Sequence, residues 1–207
     1  MAAPTVTTRL LAVRHGRSEW NAAGRWQGHA DIALDHTGEL QAVAATEVLG
    51  GFDAIWSSDL RRAHRTAQII AELLGVGPVH TDPRLREKDV GPWEGLTNAE
   101  VERRWPGMLA TRDRPAGFET DDAAGARFCA ALADLASTHP GGEVLIVSHG
   151  GVVRAAQRRL GADPPHLPNL SGCWFEHRTW PDRERDELIA GDTVHLLVDD
   201  GRGSVVL

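Results

Sequence analysis

The chain has 207 residues, 42% of them hydrophobic and 25% charged, with a formal net charge of −7. That length and apolar content suit one well-buried domain, no apolar run approaches the ~18 residues of a spanning helix, and the acidic balance argues against a nucleic-acid partner. Lys88 is the lone lysine, so the G-x-x-x-x-G-K-[ST] phosphate loop is excluded and a lysine Schiff base has only one, poorly placed, candidate.

The first element is RLLAV at residues 9–13, four apolar residues in a row that read as a short buried strand. It is too short and wrongly flanked for a signal peptide, and a cytoplasmic protein is expected. The strand runs straight into Arg14-His15-Gly16, with Ser18 and Asn21 just behind. A core strand has no structural need for a cation, an imidazole and two hydrogen-bonding side chains at its tip. Next, LDHTGELQAVAATEVLGG predicts a helix capped by Thr37, with Leu40, Val43, Ala44 and Val48 on one face. FDAIWSS reads as a second buried strand. Ser58 is then expected to cap a long helix whose core stripe is Ala63, Ala67, Ile70 and Leu74.

The middle of the chain is loop-rich, and residues from about 96 to 122 read as a lid-like insert within a single domain spanning 1–207. A helix follows in which Phe128, Leu132 and Leu135 align. GEVLIVSHGGVVRAAQRRLG is another strand, turn and helix, and the tail alternates like hairpin strands around a turn at Pro181-Asp182. Cys129 and Cys173 make no C-x-x-C pair and are expected as reduced, half-buried thiols.

Strands alternating with helices predict a three-layer α/β/α sandwich with a mostly parallel central sheet. Ligands in such sheets sit beyond the carboxyl ends of the strands. Three apolar strands end there in polar residues: Val13 into Arg14-His15-Gly16, Trp56 into Ser57-Ser58, and Val147 into Ser148-His149-Gly150. Two imidazoles, with Arg14 beside one and Arg62 early in the helix after the second strand, would repel one another unless an anion joined them. A phosphate fits, because guanidinium forks match its oxygens and helix N-termini add backbone donors.

These residues resemble the histidine phosphatase superfamily, the phosphoglycerate mutase-like proteins. Arg14-His15-Gly16 with Ser18 and Asn21 is similar to the family's R-H-G-x-[ST]-x-x-N. Gln27-Gly28, Asp31, Leu34 and Gly38 follow its next stretch. SSDLRRAHRTA resembles its S-x-L-x-R-A-x-x-T-A helix and puts the second phosphate arginine at Arg62. LREKDVGPWEGLT puts the acidic residue at Glu87, and VSHGG supplies His149.

The resemblance implies a phosphoglycerate mutase-like fold and a metal-independent phosphomonoester hydrolase that needs no cofactor. Its substrate would be a small phosphorylated metabolite. His15 would be the nucleophile that becomes phosphohistidine, and Arg14, Arg62 and a protonated His149 the clamp on the phosphoryl oxygens. Ser18, Asn21, Gln27, Gly28 and Gly150 would complete the phosphate site. Glu87 would protonate the leaving alcohol and then activate water. No H-E-x-x-H or Cys/His spacing suggests a metal. No membrane partner is expected, and monomer and homodimer both stay open.

Within the family a cofactor-dependent phosphoglycerate mutase is the alternative. Such mutases carry E-R-H-Y-G, a long insert and H-G-N, where this chain has EKDVG, a short insert and HGG. GPWEG is closer in wording to the broad-specificity and α-ribazole phosphatases. GFETDD departs from their G-G-E-S stretch, although Gly117 and Glu119 match. A non-catalytic phosphate-binding relative is the alternative of another class; loss of the nucleophile or acid would mark it, and both are present. Glu94 is a rival acid, Arg61 is expected at the surface, and His29 and His64 are expected as exposed polar residues. Trp20, Trp26, Trp93 and Trp105 can build an aromatic mouth or can be packing.

Overall fold

The computed structural model describes residues 5–111, 113–180 and 185–197; the expected turn at Pro181-Asp182, and Arg112 in the insert, lie outside them. Six strands form one sheet: β1 (Val6–Arg14), β2 (Ala54–Ser57), β3 (Val79–Thr81), β4 (Glu143–Ser148), β5 (Ser171–Trp180) and β6 (Arg185–His195). Their order is β3-β2-β4-β1-β5-β6. The first four run parallel, and β5 and β6 join antiparallel at one edge.

Successive side chains on a strand face opposite sides of the sheet, and the two cores follow from that alternation. Leu10 and Ala12 of β1, with Val144 and Ile146 of β4, pack under α6 (Asp121–Thr138) and α7 (Gly150–Arg159). Leu11 and Val13, with Leu145 and Val147, pack on the other face against α3 (Arg61–Leu74) and Ala45 of α2 (His36–Ala45). Helices thus cover both faces, the expected three-layer sandwich. The aligned Phe128, Leu132 and Leu135 of α6 are buried, as are Ala63, Ala67 and Ile70 of α3, with Leu74 packed beside them.

Three local expectations are corrected. Asp35, not Thr37, caps α2, accepting from the Gly38 N–H at 2.8 Å. Leu40, Val43, Ala44 and Val48 are exposed, while Gly38, Gln41, Ala42 and Ala45 face inward. The rotation of α2 is set by a backbone approach: a Cβ on Gly38 would stand 2.8 Å from the Arg17 nitrogen, and Gln41 Oε1 accepts from that same Arg17 N–H at 2.8 Å. Close backbone contact needs small residues, so the larger apolar side chains turn outward. Ser58 does not cap α3 in the expected way, since the cap residue is Leu60 and Ser58 Oγ accepts only from the Leu60 N–H.

Between β3 and α6 lie two 3₁₀ turns, Pro83–Leu85 and Gly91–Trp93, then α4 (Asn98–Arg104) and the short α5 (Met108–Thr111); the remaining short helix, α1 (Glu19–Ala22), follows β1. A third, small core joins residues 96–122 to the segments before them: fully buried Trp93 meets Trp26, Trp105 and Phe118. Trp93 and Trp105 are therefore packing residues. Cys129 is half-buried and Cys173 fully buried, both as free thiols. No helix among the described residues is long and apolar enough to cross a membrane.

Candidate active site

Strands β1 and β4 are neighbours in register, with Arg14 opposite Ser148, so they end level with one another. The His15 N–H donates to Ser148 O at 3.0 Å, and the residues that follow, His15 and His149, come together with ring centroids 5.1 Å apart. The chain leaves β1 toward β2 across one face of the sheet and leaves β4 toward β5 across the other. The site is the crevice such a reversal opens at the strand ends.

The turn after β1 is tied down from several sides. A Cβ on Gly16 would stand 3.0 Å from the carbonyl carbon of Gly38, which is why the loop needs glycine there. Gly16 N donates to Thr66 Oγ1, and Asn169 Nδ2 donates to His15 O at 2.8 Å. The His15 ring is fixed as well. Nδ1 lies 2.6 Å from Gly16 O, and because a carbonyl only accepts, Nδ1 carries the proton. Nε2 then accepts from Arg62 Nε at 3.2 Å and holds the lone pair. Burial, then the charges of Arg62 and Arg14, hold the His15 imidazole well below its ordinary value, so it is neutral.

Arg62 is fully buried. Its other two nitrogens donate to Ala30 O at 2.7 Å and Gly28 O at 2.9 Å, clamping the loop that carries Gln27 and Gly28. Burial lowers its guanidinium to about 10, still protonated at neutral pH. Arg61, one residue earlier, is exposed as expected. Arg14 spends Nη1 on Leu167 O at 2.8 Å.

Glu87 reaches the site from the turn after Pro83–Leu85. Oε1 accepts its neighbour Lys88 N–H, and Oε2 accepts the Gly151 N–H at 2.9 Å in the first turn of α7. A Cβ at residue 151 would stand 2.8 Å from the Glu87 Cδ and closer still to Oε1, so the second glycine of HGG makes room for the acid. The flanking cations do not compete for it: Arg86 forks onto Asp59, and Lys88 pairs with Asp121 at 2.6 Å. Arg127 braces the segment from behind, donating to the carbonyls of Arg84, Arg86 and Glu87 while Glu119 holds its fork. Glu119 is thus a structural partner of Arg127. His29, expected as an exposed polar residue, instead donates from Nε2 to Glu87 O at 2.8 Å. Glu94 accepts from the Ala30 N–H and does not line the cavity, and His64 bonds Ser57.

A cavity of about 260 Å³ opens over these groups. Arg14, His15, Asn21, Gln27, Gly28, Arg62, Glu87 and Gly150 all line it. Two expected site residues stand behind its wall. Ser18 is fully buried; it caps α1 and bonds both Asn21 and Gln27, so it positions those two side chains. His149 is also fully buried, and neither ring nitrogen has a hydrogen-bond partner among the described residues. Burial, then Arg62, His15 and Arg14, push its imidazole well below the ordinary value, which favours a neutral ring when no anion is bound. Three arginine and imidazole neighbours in a dry site disfavour a further positive charge. Trp26 lines the cavity, and of the four tryptophans offered for an aromatic mouth it alone does so. Arg25, Asn98, Arg154, His166 and Leu167 also line it, and none was marked by the sequence motifs.

The family model of the histidine phosphatase superfamily (branch 1) matches residues 10–176. Over 180 residues the chain is 40% identical to a glucosyl-3-phosphoglycerate phosphatase of Mycobacterium tuberculosis, covering 79% of this chain and 80% of that one. It is 38% identical to a metal-independent phosphoserine phosphatase of Arabidopsis thaliana, over 74% of this chain and 68% of the relative. A mycobacterial glucosyl-3-phosphoglycerate phosphatase solved with VO3 superposes with a TM-score of 0.75 at 34% identity, over 88% of this chain and 96% of that one. With its two His-Gly strand ends on one such fold, the chain belongs to the histidine phosphatase superfamily, branch 1.

Proposed function

We propose that this chain is a cytoplasmic phosphomonoester hydrolase that uses a phosphohistidine on His15, without metal or cofactor, and acts on a small phosphorylated metabolite. The observation that carries the reading is the neutral His15, with its Nε2 lone pair held against Arg62 and with Arg14 and Glu87 lining the same cavity. The similarity to phosphatases of glucosyl-3-phosphoglycerate and phosphoserine supports the substrate class.

In the first step Arg62 Nε releases His15 Nε2 and turns to a phosphoryl oxygen. Nε2 attacks phosphorus in line, the bond from phosphorus to the ester oxygen breaks, and the Glu87 carboxyl gives its proton to the departing alkoxide. Negative charge spread over the three equatorial oxygens is met by Arg14, Arg62, the Asn21 and Gln27 amides and an N–H of His149. A neutral His149 donates one hydrogen bond without adding repulsion to the clamp. In the second step the Glu87 carboxylate takes a proton from water, the water oxygen attacks phosphorus, and the P–N bond breaks. Inorganic phosphate leaves and Nε2 recovers its lone pair.

A panel of phosphomonoesters that includes p-nitrophenyl phosphate, and 3-phosphoglycerate with and without 2,3-bisphosphoglycerate, tests the reading. Steady phosphate release that persists in a strong chelator is expected. The acidic residues of the insert outnumber its basic ones, which makes it a poor cover for a bisphosphorylated ligand. Rapid interconversion of 2- and 3-phosphoglycerate with negligible phosphate release would replace hydrolase by mutase.

A further inference from the structure

Four arginines line the cavity: Arg14, Arg25, Arg62 and Arg154. Three have work assigned by their contacts. Arg62 spends all three nitrogens on His15 and two carbonyls. Arg25 donates to Gly95 O and pairs with Glu100. Arg14 bonds Leu167 O and flanks the nucleophile.

Arg154, one turn into α7, is different. Its Nε donates to Gly150 O at 3.1 Å, and its two terminal nitrogens have no hydrogen bond or ion pair among the described residues. Two carboxylates reach it by charge alone: Glu87, whose oxygens accept the Lys88 and Gly151 N–H groups, and Asp121, shared between Lys88 at 2.6 Å and Arg158 at 2.9 Å. A half-buried guanidinium whose two terminal nitrogens lack a bonded partner among the described residues is costly, and an open planar fork matches a carboxylate.

We propose that Arg154, with His166 beside it on the cavity wall, is a subsite for a carboxylate carried by the leaving alcohol. The preferred substrates are then phosphomonoesters of hydroxy acids. Burial, with Arg14 and Arg154 nearby, lowers the His166 imidazole, so it adds an N–H donor and no second positive charge. The subsite rests on the reading of the cavity as a phosphoryl-transfer site: phosphate lies against His15, and the alcohol extends along α7 toward Arg154.

A matched pair isolates the carboxylate: 3-phosphoglycerate, and glycerol 3-phosphate, in which a hydroxymethyl replaces it. The measured quantity is the ratio of kcat/KM for the two esters in wild type and in Arg154→Gln. Hydrogen bonds to charged groups set the expected change, a fall in that ratio of about 10- to 100-fold. Arg154→Lys, which keeps the charge and loses the fork, should fall between. The same ratio is read without turnover by titrating both esters calorimetrically into His15→Ala and into His15→Ala/Arg154→Gln. A ratio unchanged by Arg154→Gln, or equal losses on both esters, overturns the subsite while hydrolysis stands. If no ester in the panel releases phosphate, the hydrolase reading fails, and the calorimetric ratio still decides the subsite.

Discussion

His15 and His149 occupy equivalent places, each at the end of a parallel strand and each followed by glycine, yet the structure treats them oppositely. His15 is held at both ring nitrogens, by Gly16 O and by Arg62, and its reactive edge lines the cavity. His149 has neither nitrogen bonded among the described residues and sits behind the wall, beneath the start of α7. One imidazole has its tautomer set by Gly16 O and Arg62, which supports its proposed role as nucleophile. The other has neither nitrogen bonded among the described residues, and in the proposed mechanism one of them donates to a phosphoryl oxygen once substrate is bound.

The most direct way to break this contrast is to delete each ring in turn. His15→Ala should lower kcat by about 10⁴-fold or more, since losing a nucleophile removes a whole reaction path. His149→Ala should cost about 10²- to 10³-fold, the worth of one transition-state donor. Rapid quenching with mass spectrometry should find an acid-labile phosphoryl group on His15. A label on His149, or equal losses for the two variants, would reverse their roles.

Glu87→Gln sharpens the same contrast from the other side. It should slow turnover by about 10²- to 10⁴-fold. An activated aryl ester needs little help to leave, so with that substrate phosphohistidine should accumulate on His15. Gly151→Ala probes the same carboxylate indirectly, because the new Cβ would push it aside. It should fall in the same direction as Glu87→Gln and by less. Full activity with a methyl at 151 would mean that Glu87 does not act from its observed place.

The lone pair on His15 is presented against Arg62, so Arg62→Ala should lose about 10²- to 10³-fold in kcat. Arg61→Ala should change kcat little, because that side chain is exposed. Similar losses for the two would contradict the register of α3.

The smallest effect expected is in pH. Both imidazoles lie well below their ordinary 6.5. The acid limb of kcat/KM for the free enzyme should therefore fall below pH 6.5. The unfolded chain, whose histidines titrate near 6.5, binds more protons than the folded one in the interval below that value. The stability contributed by these rings is thus full above pH 6.5 and is lost as pH falls from there toward the depressed folded values. Thermal unfolding should show wild type losing more on acidification through that window than His149→Asn. An acid limb above 6.5 would mean that a charged imidazole is part of the resting site.

Much of the site was legible because it is written in short local patterns. An apolar strand that ends in Arg14-His15-Gly16 or Ser148-His149-Gly150 places its polar residues at a sheet edge whatever else the chain does. The 3.6-residue period of α3 separates buried Arg62 from exposed Arg61 without further help. The same reasoning failed on α2, where Leu40, Val43 and Ala44 lie on the outer face and Val48, in the turn that follows, is exposed too. Periodicity identifies which residues share a face; which face turns inward was decided by the fit of Gly38 against Arg17.

What the sequence determined by itself was the layered fold, the two strand-end imidazoles and the carboxylate proposed as the acid, all of which depend on neighbours within a few positions. Only the tertiary structure decided their state. The tautomer of His15 depends on Arg62, 47 residues away, and the seat of Glu87 on the N–H of Gly151, 64 residues away. The neutrality of His149 comes from burial among side chains that three different elements deliver. Arg154, His166 and Asn169 carry no motif, and what makes each matter is its distance from groups far off in the chain. Electrostatics and hydrogen bonding act through space over a few ångströms, and only the folded chain sets those separations.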